Sequence, residues 1–409
     1  MTALNPQRRF AGRLASRHRA ALLLVAAMLP SPALAQTERE KLEALPAIEQ
    51  NGFNLRAAVQ ATYDSNIFRT NDDVAQRVDD IIVTPTVEAR FNRTIGPNSL
   101  NLSALAGYDR FVSNGERSKP RFVGRIGGKI AVLNPCTVSP KASYRAERAN
   151  YGDLNGAVEN QQRFSELGIA VSCERPAGIY PKASYLRTTT RNEDAFDFAD
   201  QTSNIYAASL SFAKPSFGVL QLAVQREEAR RDTLGYTNRV DRASVIFDRA
   251  ISSRLSAHID VHALRVRPTV PTIQKHDGVG WDVSATTRLL SPMVITLGSR
   301  RTVVNDSLIT TGYVLQNAYT ARLRLPLSSL TEIEGNVERR DRRFRHETIT
   351  NRSPIDSDRV WAAELTLRRK LTERFKLVGG AGYYNRSTDD ALVGSYKAFT
   401  VTLGAEAVF

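Results

Sequence analysis

The residues of this sequence that could do chemistry include one histidine pair. His258, Asp260 and His262 alternate along the chain, so on a β-strand their side chains would share one face. Zinc accepts such ligands, but a site needs three or four that converge, and alternate strand positions lie about 7 Å apart. The motif therefore fits ordinary polar residues better than a metal site. Since no nucleophile–base arrangement or phosphate-binding glycine loop occurs elsewhere, we expect no enzymatic activity, metal or cofactor.

Arginines recur in clusters along the second half of the chain. If the segments that carry them are strands running in one direction, the clusters lie at one end of a sheet. The candidates are Arg226, Arg230, Arg231, Arg265, Arg267, Arg340 and Arg343. Arginine binds phosphate and carboxylate groups through paired hydrogen bonds. If this end of the sheet borders a channel, the clusters predict a channel mouth that attracts anions. Contact with lipopolysaccharide phosphates is a second interpretation, and a generic charged rim at this end of the sheet is the simpler alternative.

The elements that would position these groups are strands, because apolar and polar residues alternate from Phe53 to the end of the chain. Successive side chains of a strand point to opposite faces, so each segment has an apolar and a polar face. The polar face collects charges of both signs. Its candidate selectivity residues are Arg56, Arg90, Arg125, Lys129, Arg322, Arg324, Arg368, Glu332, Glu334 and Glu364. Charges that line a channel influence which solutes pass, and this mixture predicts weak selectivity with a preference for anions.

The connections alternate between two sizes. Eight short turn signals, such as the one at residues 96–98, alternate with nine longer polar stretches, such as 148–160. Seventeen connections predict eighteen strands, an even number with both ends on the same side. Short turns at one end and long loops at the other are typical of transmembrane barrels. A soluble sandwich would alternate too but would not explain this rhythm, and an open sheet would expose two edges. We predict an all-β, antiparallel transmembrane barrel over residues 53–409.

The first residues predict export. Five arginines, a short apolar run at 20–29 and the small residues Ala33 and Ala35 predict a signal peptide over residues 1–35. Residues 36–52 would then form a periplasmic lead-in. Loss of the five arginines would lower the net charge from +14 to +9. An exported barrel with this charge is not expected to bind nucleic acid. The mean hydropathy of −0.31 does not exclude a barrel, because only every second strand residue faces lipid.

The sequence contains two cysteines, Cys136 and Cys173, and an exported protein can keep a disulfide. They lie symmetrically about the predicted loop at 148–160, so an antiparallel hairpin would place them opposite each other on the same face. We predict a disulfide, and two unpaired thiols are the alternative.

The last strand ends on an aromatic residue. Phe399, Val401, Leu403 and Phe409 share one face of it. The segment resembles the terminal strand of bacterial outer-membrane barrels, in which this strand is the signal for the assembly machinery. We therefore expect an integral protein of the bacterial outer membrane.

Two short motifs strengthen this similarity. The runs Tyr63-Asp-Ser-Asn-Ile-Phe68 and Asp79-Asp-Ile-Ile-Val-Thr-Pro85 resemble the outer-membrane β-barrel porin families of Gram-negative bacteria, some of which are linked to exopolysaccharide production. The resemblance implies a channel for polar or anionic solutes. An exit channel for an anionic exopolysaccharide and a plugged structural or adhesion barrel are alternatives. Expected partners are outer-membrane lipids and lipopolysaccharide, the barrel-assembly machinery and polysaccharide-export components.

Overall fold

The computed structural model describes residues 51–71, 75–148, 160–288, 292–305, 312–345, 356–388 and 395–409. The predicted signal peptide and all but the last two residues of the predicted lead-in lie outside these ranges. Eighteen strands form in the described residues. They are β1 Gly52–Asp64, β2 Asp80–Ile95, β3 Asn98–Phe111, β4 Lys119–Leu133, β5 Cys136–Arg148, β6 Gln161–Ser172, β7 Gly178–Arg191, β8 Gln201–Lys214, β9 Gly218–Arg231, β10 Tyr236–Ser252, β11 Leu255–Pro268, β12 His276–Thr287, β13 Val294–Val304, β14 Tyr313–Pro326, β15 Thr331–Arg345, β16 Ser357–Lys370, β17 Phe375–Thr388 and β18 Tyr396–Val408. Two short 3₁₀ helices, Gly115–Arg117 and Asp194–Ala199, lie in the connections.

The strands form one closed antiparallel sheet. Each strand pairs with its sequence neighbour, and β1 pairs with β18 from Arg56 opposite Val408 to Asp64 opposite Thr400. Leu55 and Phe409 extend this seam with two backbone hydrogen bonds, of 2.8 and 3.3 Å. Closure removes both sheet edges, which a strand wall needs in lipid because unpaired backbone groups there are costly. The predicted eighteen-stranded antiparallel barrel is confirmed.

The two ends of the barrel differ. One end, called here the short-turn end, carries connections such as 96–97 and 134–135, while the long-loop end carries connections such as 65–79 and 192–200. In outer-membrane barrels these ends face the periplasm and the cell exterior, respectively. The strands have 11 to 17 residues, and about 9–11 suffice to cross a bilayer core.

The two faces of the wall follow the alternation in the sequence. Large apolar side chains lie exposed on the outside, for example Leu403 at 66% and Val224 at 59%. An apolar surface that encircles the barrel is suited to lipid contact. The opposite parity is polar and points into the lumen. No helix among the described residues is long and apolar enough to cross a membrane.

A disulfide joins Cys136 to Cys173. Cys136 begins β5, and Cys173 follows the last residue of β6. The register of the hairpin, with Thr137 opposite Ser172, places the two cysteines face to face. They lie at the short-turn end and have the parity of the outward-facing Tyr144.

We expect a thiol reagent to label neither cysteine in the unreduced, denatured protein, and to label two per chain after reduction. Because β5 and β6 remain hydrogen-bonded along their length, the C136S/C173S variant should fold but unfold more easily, by about 3–4 kcal/mol in a chain-entropy estimate. Labelling counted by mass spectrometry checks the bond, and two labels without reductant would contradict it.

Candidate functional site

The inner wall carries a column of cations along β4. Lys119, Arg121, Arg125 and Lys129 are separated by two or four residues and therefore point to the same side. That side is the lumen, because the opposite parity contains the exposed Phe122 and Ile126. The column runs from the long-loop end to the short-turn end of the strand. Lys141 and Arg145 of β5 lie beside it on the same face.

Carboxylates neutralise only part of this basic column. Lys119 pairs with Glu193 at 3.1 Å and Arg121 with Glu147 at 3.1 Å. On β5, Lys141 pairs with Glu166 at 2.8 Å and Arg145 with Glu147 at 3.0 Å. These four cations share three carboxylates.

Arg125 and Lys129 form no ion pair with any residue that the structure describes. They lie in the half of β4 nearer the short-turn end. Their two charges are therefore available to solutes in the lumen.

Across the barrel seam the inner wall carries a network of ion pairs. Arg56 of β1 bridges Glu406 at 2.7 Å and Glu88 at 3.7 Å, and Glu88 also accepts from Arg90 at 2.7 Å. Lys376 pairs with Glu406 at 3.1 Å. Three cations and two carboxylates thus form one linked group.

A balanced group of ion pairs lies on β14 to β16. Arg324 donates to Glu332 at 2.7 Å, and Arg368 bonds Glu334. By strand parity Arg322 and Glu364 also point inward, so all ten selectivity candidates from the sequence lie on the lumen face. The structure divides them into paired groups and the less neutralised column on β4.

The predicted arginine mouth is divided between the two faces of the wall. All seven arginines lie in the half of their strand nearer the long-loop end. Arg231 and Arg340 point into the barrel and are 3% exposed. The other five have the outward parity: Arg226, Arg230, Arg265, Arg267 and Arg343. These five do not line the lumen wall, so the seven arginines cannot act as one vestibule.

The long-loop end of the lumen is narrowed by the ends of β13 and β14, residues 302–305 and 312–315, called here the inturned ends. Pairing of β12 with β13 stops at Trp281 opposite Arg301. Beyond that point Arg242 of β10 donates to the Thr302 hydroxyl at 3.2 Å. Strands β10 and β13 are three apart, roughly 14 Å along the wall. The contact therefore requires the inturned ends to leave the wall and lie across the lumen.

Further hydrogen bonds hold the inturned ends against β9 and β10. Arg231 donates to the carbonyl oxygen of Asn305 at 2.9 Å, and the Asn305 amide donates to Glu227 at 2.9 Å. Asn238 donates to the carbonyl oxygen of Gly312 at 2.9 Å. Each contact joins residues more than seventy positions apart in the sequence.

An apolar cluster supports the same contact. It combines inward residues of β10 and β11, the β11–β12 connection and the inturned ends. Its buried members are Tyr236, Val240, Leu264, Val266, Ile273, Val303, Tyr313 and Leu315. The Tyr313 hydroxyl donates to the carbonyl oxygen of Gln274 at 2.8 Å. The cluster excludes water from the apolar side chains of β10 and β11 and from those of the inturned ends. Their burial therefore opposes release of the inturned ends.

The β1–β2 connection also turns inward at the long-loop end. Asn66 is fully buried and donates to the carbonyl oxygen of Lys397 at 3.1 Å. Arg69 bonds Asp64 and lies over the ring of Tyr396. Burial lowers the pKa of Arg69, but the Asp64 carboxylate raises it by more, so the guanidinium stays charged. This connection fills the side of the mouth formed by β1 and β18.

Buried arginines that the sequence analysis did not select lie near this region. Asp358 of β16 accepts two hydrogen bonds from Arg342, at 2.7 and 2.5 Å, and one from Arg386, at 2.8 Å. The carboxylate side chain is fully buried. The alternation of polar and apolar residues in the sequence predicts that Arg342, Asp358 and Arg386 face the lumen. It does not show that the three side chains contact one another.

A polar cavity of about 640 Å³ adjoins this cluster at the long-loop end. Its charged lining consists of five arginines and two aspartates. They are Arg301, Arg342, Arg343, Arg345, Arg359, Asp341 and Asp358. The excess of three positive charges favours anions in the cavity.

The histidine motif does not form a metal site. His258 and His262 both lie on the inner face, but their ring nitrogens contact different carboxylates, Asp248 at 2.7 Å and Asp260 at 3.2 Å. In the described part of the chain, no three or more His, Cys, Asp or Glu side chains converge on a point suited to a metal ion.

Comparisons with known proteins give the fold. No protein-family model matches this sequence, and no curated protein matches it. Among solved structures, Pseudomonas aeruginosa OccK2 (OpdF) in complex with glucuronate is 13% identical with a TM-score of 0.50, covering 88% of this chain and 100% of that chain. A BenF-like porin from Pseudomonas fluorescens Pf-5 is 10% identical with a TM-score of 0.48, covering 87% and 99%. The chain thus has the porin fold, the architecture of an integral outer-membrane protein.

The contacts of the inturned ends predict the effect of removing Arg231. R231A removes the hydrogen bonds to Ala199 and Asn305, and buried bonds from a charged donor contribute about 1.5–3 kcal/mol each. We expect more frequent high-conductance states in planar bilayers. R230A removes the neighbouring, outward-facing arginine and should behave like the parent protein. Equal open-state statistics for the two variants would contradict the assignment.

Proposed function

We propose that this protein is an outer-membrane channel for the passive passage of polar solutes, with a preference for small anions. The observation that carries the proposal is the basic column on β4, in which Arg125 and Lys129 have no described carboxylate partner. The column follows the direction of transport, so a solute would meet positive charge along the inner wall.

The physical basis is electrostatic. A unit charge about 4–8 Å away in water stabilises an anion by about 0.5–1 kcal/mol, which raises its local concentration about two- to fivefold. Several weak sites in sequence attract an anion without trapping it, which conduction requires. The paired groups elsewhere on the wall contribute little net field, so the basic column would set the preference.

The narrowed mouth fits this function. The inturned ends and the β1–β2 connection occupy part of the long-loop end, so a solute would pass close to charged side chains there. OccK2, which shares the fold, was crystallised with glucuronate, a sugar carboxylate. Acidic sugars and similar small carboxylates are therefore suitable first test solutes.

Passive passage needs no catalytic group, and we infer that the protein is not an enzyme. Its proposed partners follow from its surfaces. The outward side chains of Phe399, Val401 and Leu403 on β18, with Phe409 beside β1, would present the assembly signal to the barrel-assembly machinery. Polysaccharide-export components remain proposed partners only if the channel serves an acidic polymer.

Neutralising the column should reduce anion preference. For R125Q/K129Q we expect the ratio of anion to cation permeability, measured as a reversal potential in a salt gradient, to fall about two- to fivefold. A matched control is R93Q. Arg93 lies opposite Leu100, which pairs with Gly128, so it is near the level of Lys129 but points outward. An unchanged ratio in R125Q/K129Q, or an equal fall in R93Q, would contradict the role of the column.

The same bilayer recording separates the alternatives. A general anion channel should conduct chloride and glucuronate and be blocked weakly by an acidic polysaccharide. Strong block by one acidic polymer, from the short-turn side, would instead indicate polysaccharide export. Absence of conductance in a correctly folded barrel would indicate a plugged structural protein.

A further inference from the structure

The outer face of β8 to β12 changes abruptly from apolar to charged. One row of outward residues across these five strands is wholly apolar. It consists of Ala208, Val224, Ala243, Ala263 and Val279, each opposite the next in register. The adjacent row toward the long-loop end is about 7 Å away. On β9 to β12 that row contains Arg226, Asp241, Arg265 and Asp277. In an outer-membrane barrel such a boundary is expected at the level at which lipid chains end and head groups begin.

Arginine dominates above this boundary. The outward arginines of β7 and β9 to β11 are called here the outer arginine belt. They are Arg187, Arg191, Arg226, Arg230, Arg239, Arg265 and Arg267. Five carboxylates lie among them, on Asp200, Glu228, Asp232, Asp241 and Asp277. The region therefore has two positive charges in excess.

Several of these arginines donate a hydrogen bond from Nε to a carboxylate. Arg226 donates from Nε to Asp241 at 2.7 Å, Arg239 from Nε to Glu228 at 3.2 Å, and Arg265 from Nε to Asp277 at 3.2 Å. Each of these arginine side chains is at least half exposed. Bonding through Nε fixes the guanidinium and leaves its terminal nitrogens on the outer surface.

Arg230 and Arg191 share one aspartate. Both bond Asp232, in the β9–β10 connection, and Arg230 does so from Nε at 2.9 Å. Burial raises the pKa of Asp232, but hydrogen bonds from Arg191, Arg230 and Thr202 lower it to below its ordinary value. The carboxylate therefore stays ionised and keeps both arginines in place near neutral pH.

Fold stability does not explain this arrangement. Exposed ion pairs contribute about 0–1 kcal/mol each, and the strands are already held by their backbone ladders. A preordered row of guanidinium groups at the lipid head-group level is instead suited to phosphate, which arginine binds through paired hydrogen bonds. The excess of two positive charges matches an anionic ligand.

We propose that the outer arginine belt is a binding site for the phosphates of an anionic glycolipid in the outer leaflet, with its acyl chains lying on the apolar rows of β8 to β12. The site is outside the lumen and is independent of the transport pathway. The ligand must contain both phosphate groups and acyl chains. The phosphates would bind the outer arginine belt, and the acyl chains would contact the apolar rows below it.

Native mass spectrometry of the purified barrel tests the proposal, with bisphosphorylated lipid A and its fully dephosphorylated form as probes. We expect the parent protein to retain the phosphorylated lipid at least about tenfold more tightly, a difference that one charge-assisted hydrogen bond can supply. R226Q/R239Q/R265Q should lose this preference. The control R93Q/R249Q/R369Q removes three exposed outward arginines at the short-turn end and should keep it.

Heat-modifiable migration in gels would first show that each variant is a folded barrel. If the triple variant does not fold, R230Q/R267Q removes two members of the belt and should weaken retention of the phosphorylated lipid. Retention that is insensitive to dephosphorylation, or equal in the belt and control variants, would overturn the proposal. Complete displacement by millimolar inorganic phosphate would also overturn it, since the site would then bind free anions rather than lipid.

Discussion

Closure of the sheet is the constraint on which the rest of the structure depends. Within lipid, an unpaired backbone N–H or C=O group costs several kcal/mol, so an edge strand is not tolerated. Pairing of β1 with β18 removes both edges, and an even number of strands brings the two ends of the barrel chain to the same side. The short turns, the alternating faces and the location of the lumen all follow from this closed antiparallel wall.

Each strand contributes to two surfaces, because its side chains point alternately to the lipid and to the aqueous lumen. On β4, Phe122 and Ile126 face lipid, while Arg121 and Arg125 face the lumen. The same rule divides the arginine pair at the end of β9. Arg230 is on the outer surface beside Asp232, whereas Arg231 is buried and anchors the inturned ends. Adjacent residues of identical type therefore lie on opposite faces of the wall, and only the inward one holds the inturned ends.

The charge distribution of the inner wall was only partly predictable. Parity placed all ten selectivity candidates on the lumen face, because strand geometry fixes the direction of each side chain. Partners across neighbouring strands, such as Arg324 and Glu332, follow once the register is known. Contacts between distant strands cannot be inferred from this register. Arg242 and Thr302 meet across β11 and β12 because the inturned ends leave the wall, and no local pattern indicates this departure.

The sequence alone determined the strand number, the antiparallel barrel and the opposition of Cys136 and Cys173, since each depends on local period and connection length. It also indicated which residues face lipid. The tertiary structure decided how the long-loop end is filled and which arginines are neutralised. The filling of the long-loop end depends on contacts between residues sixty or more positions apart. Neutralisation of the arginines depends on the register between neighbouring strands, which decides which charges meet.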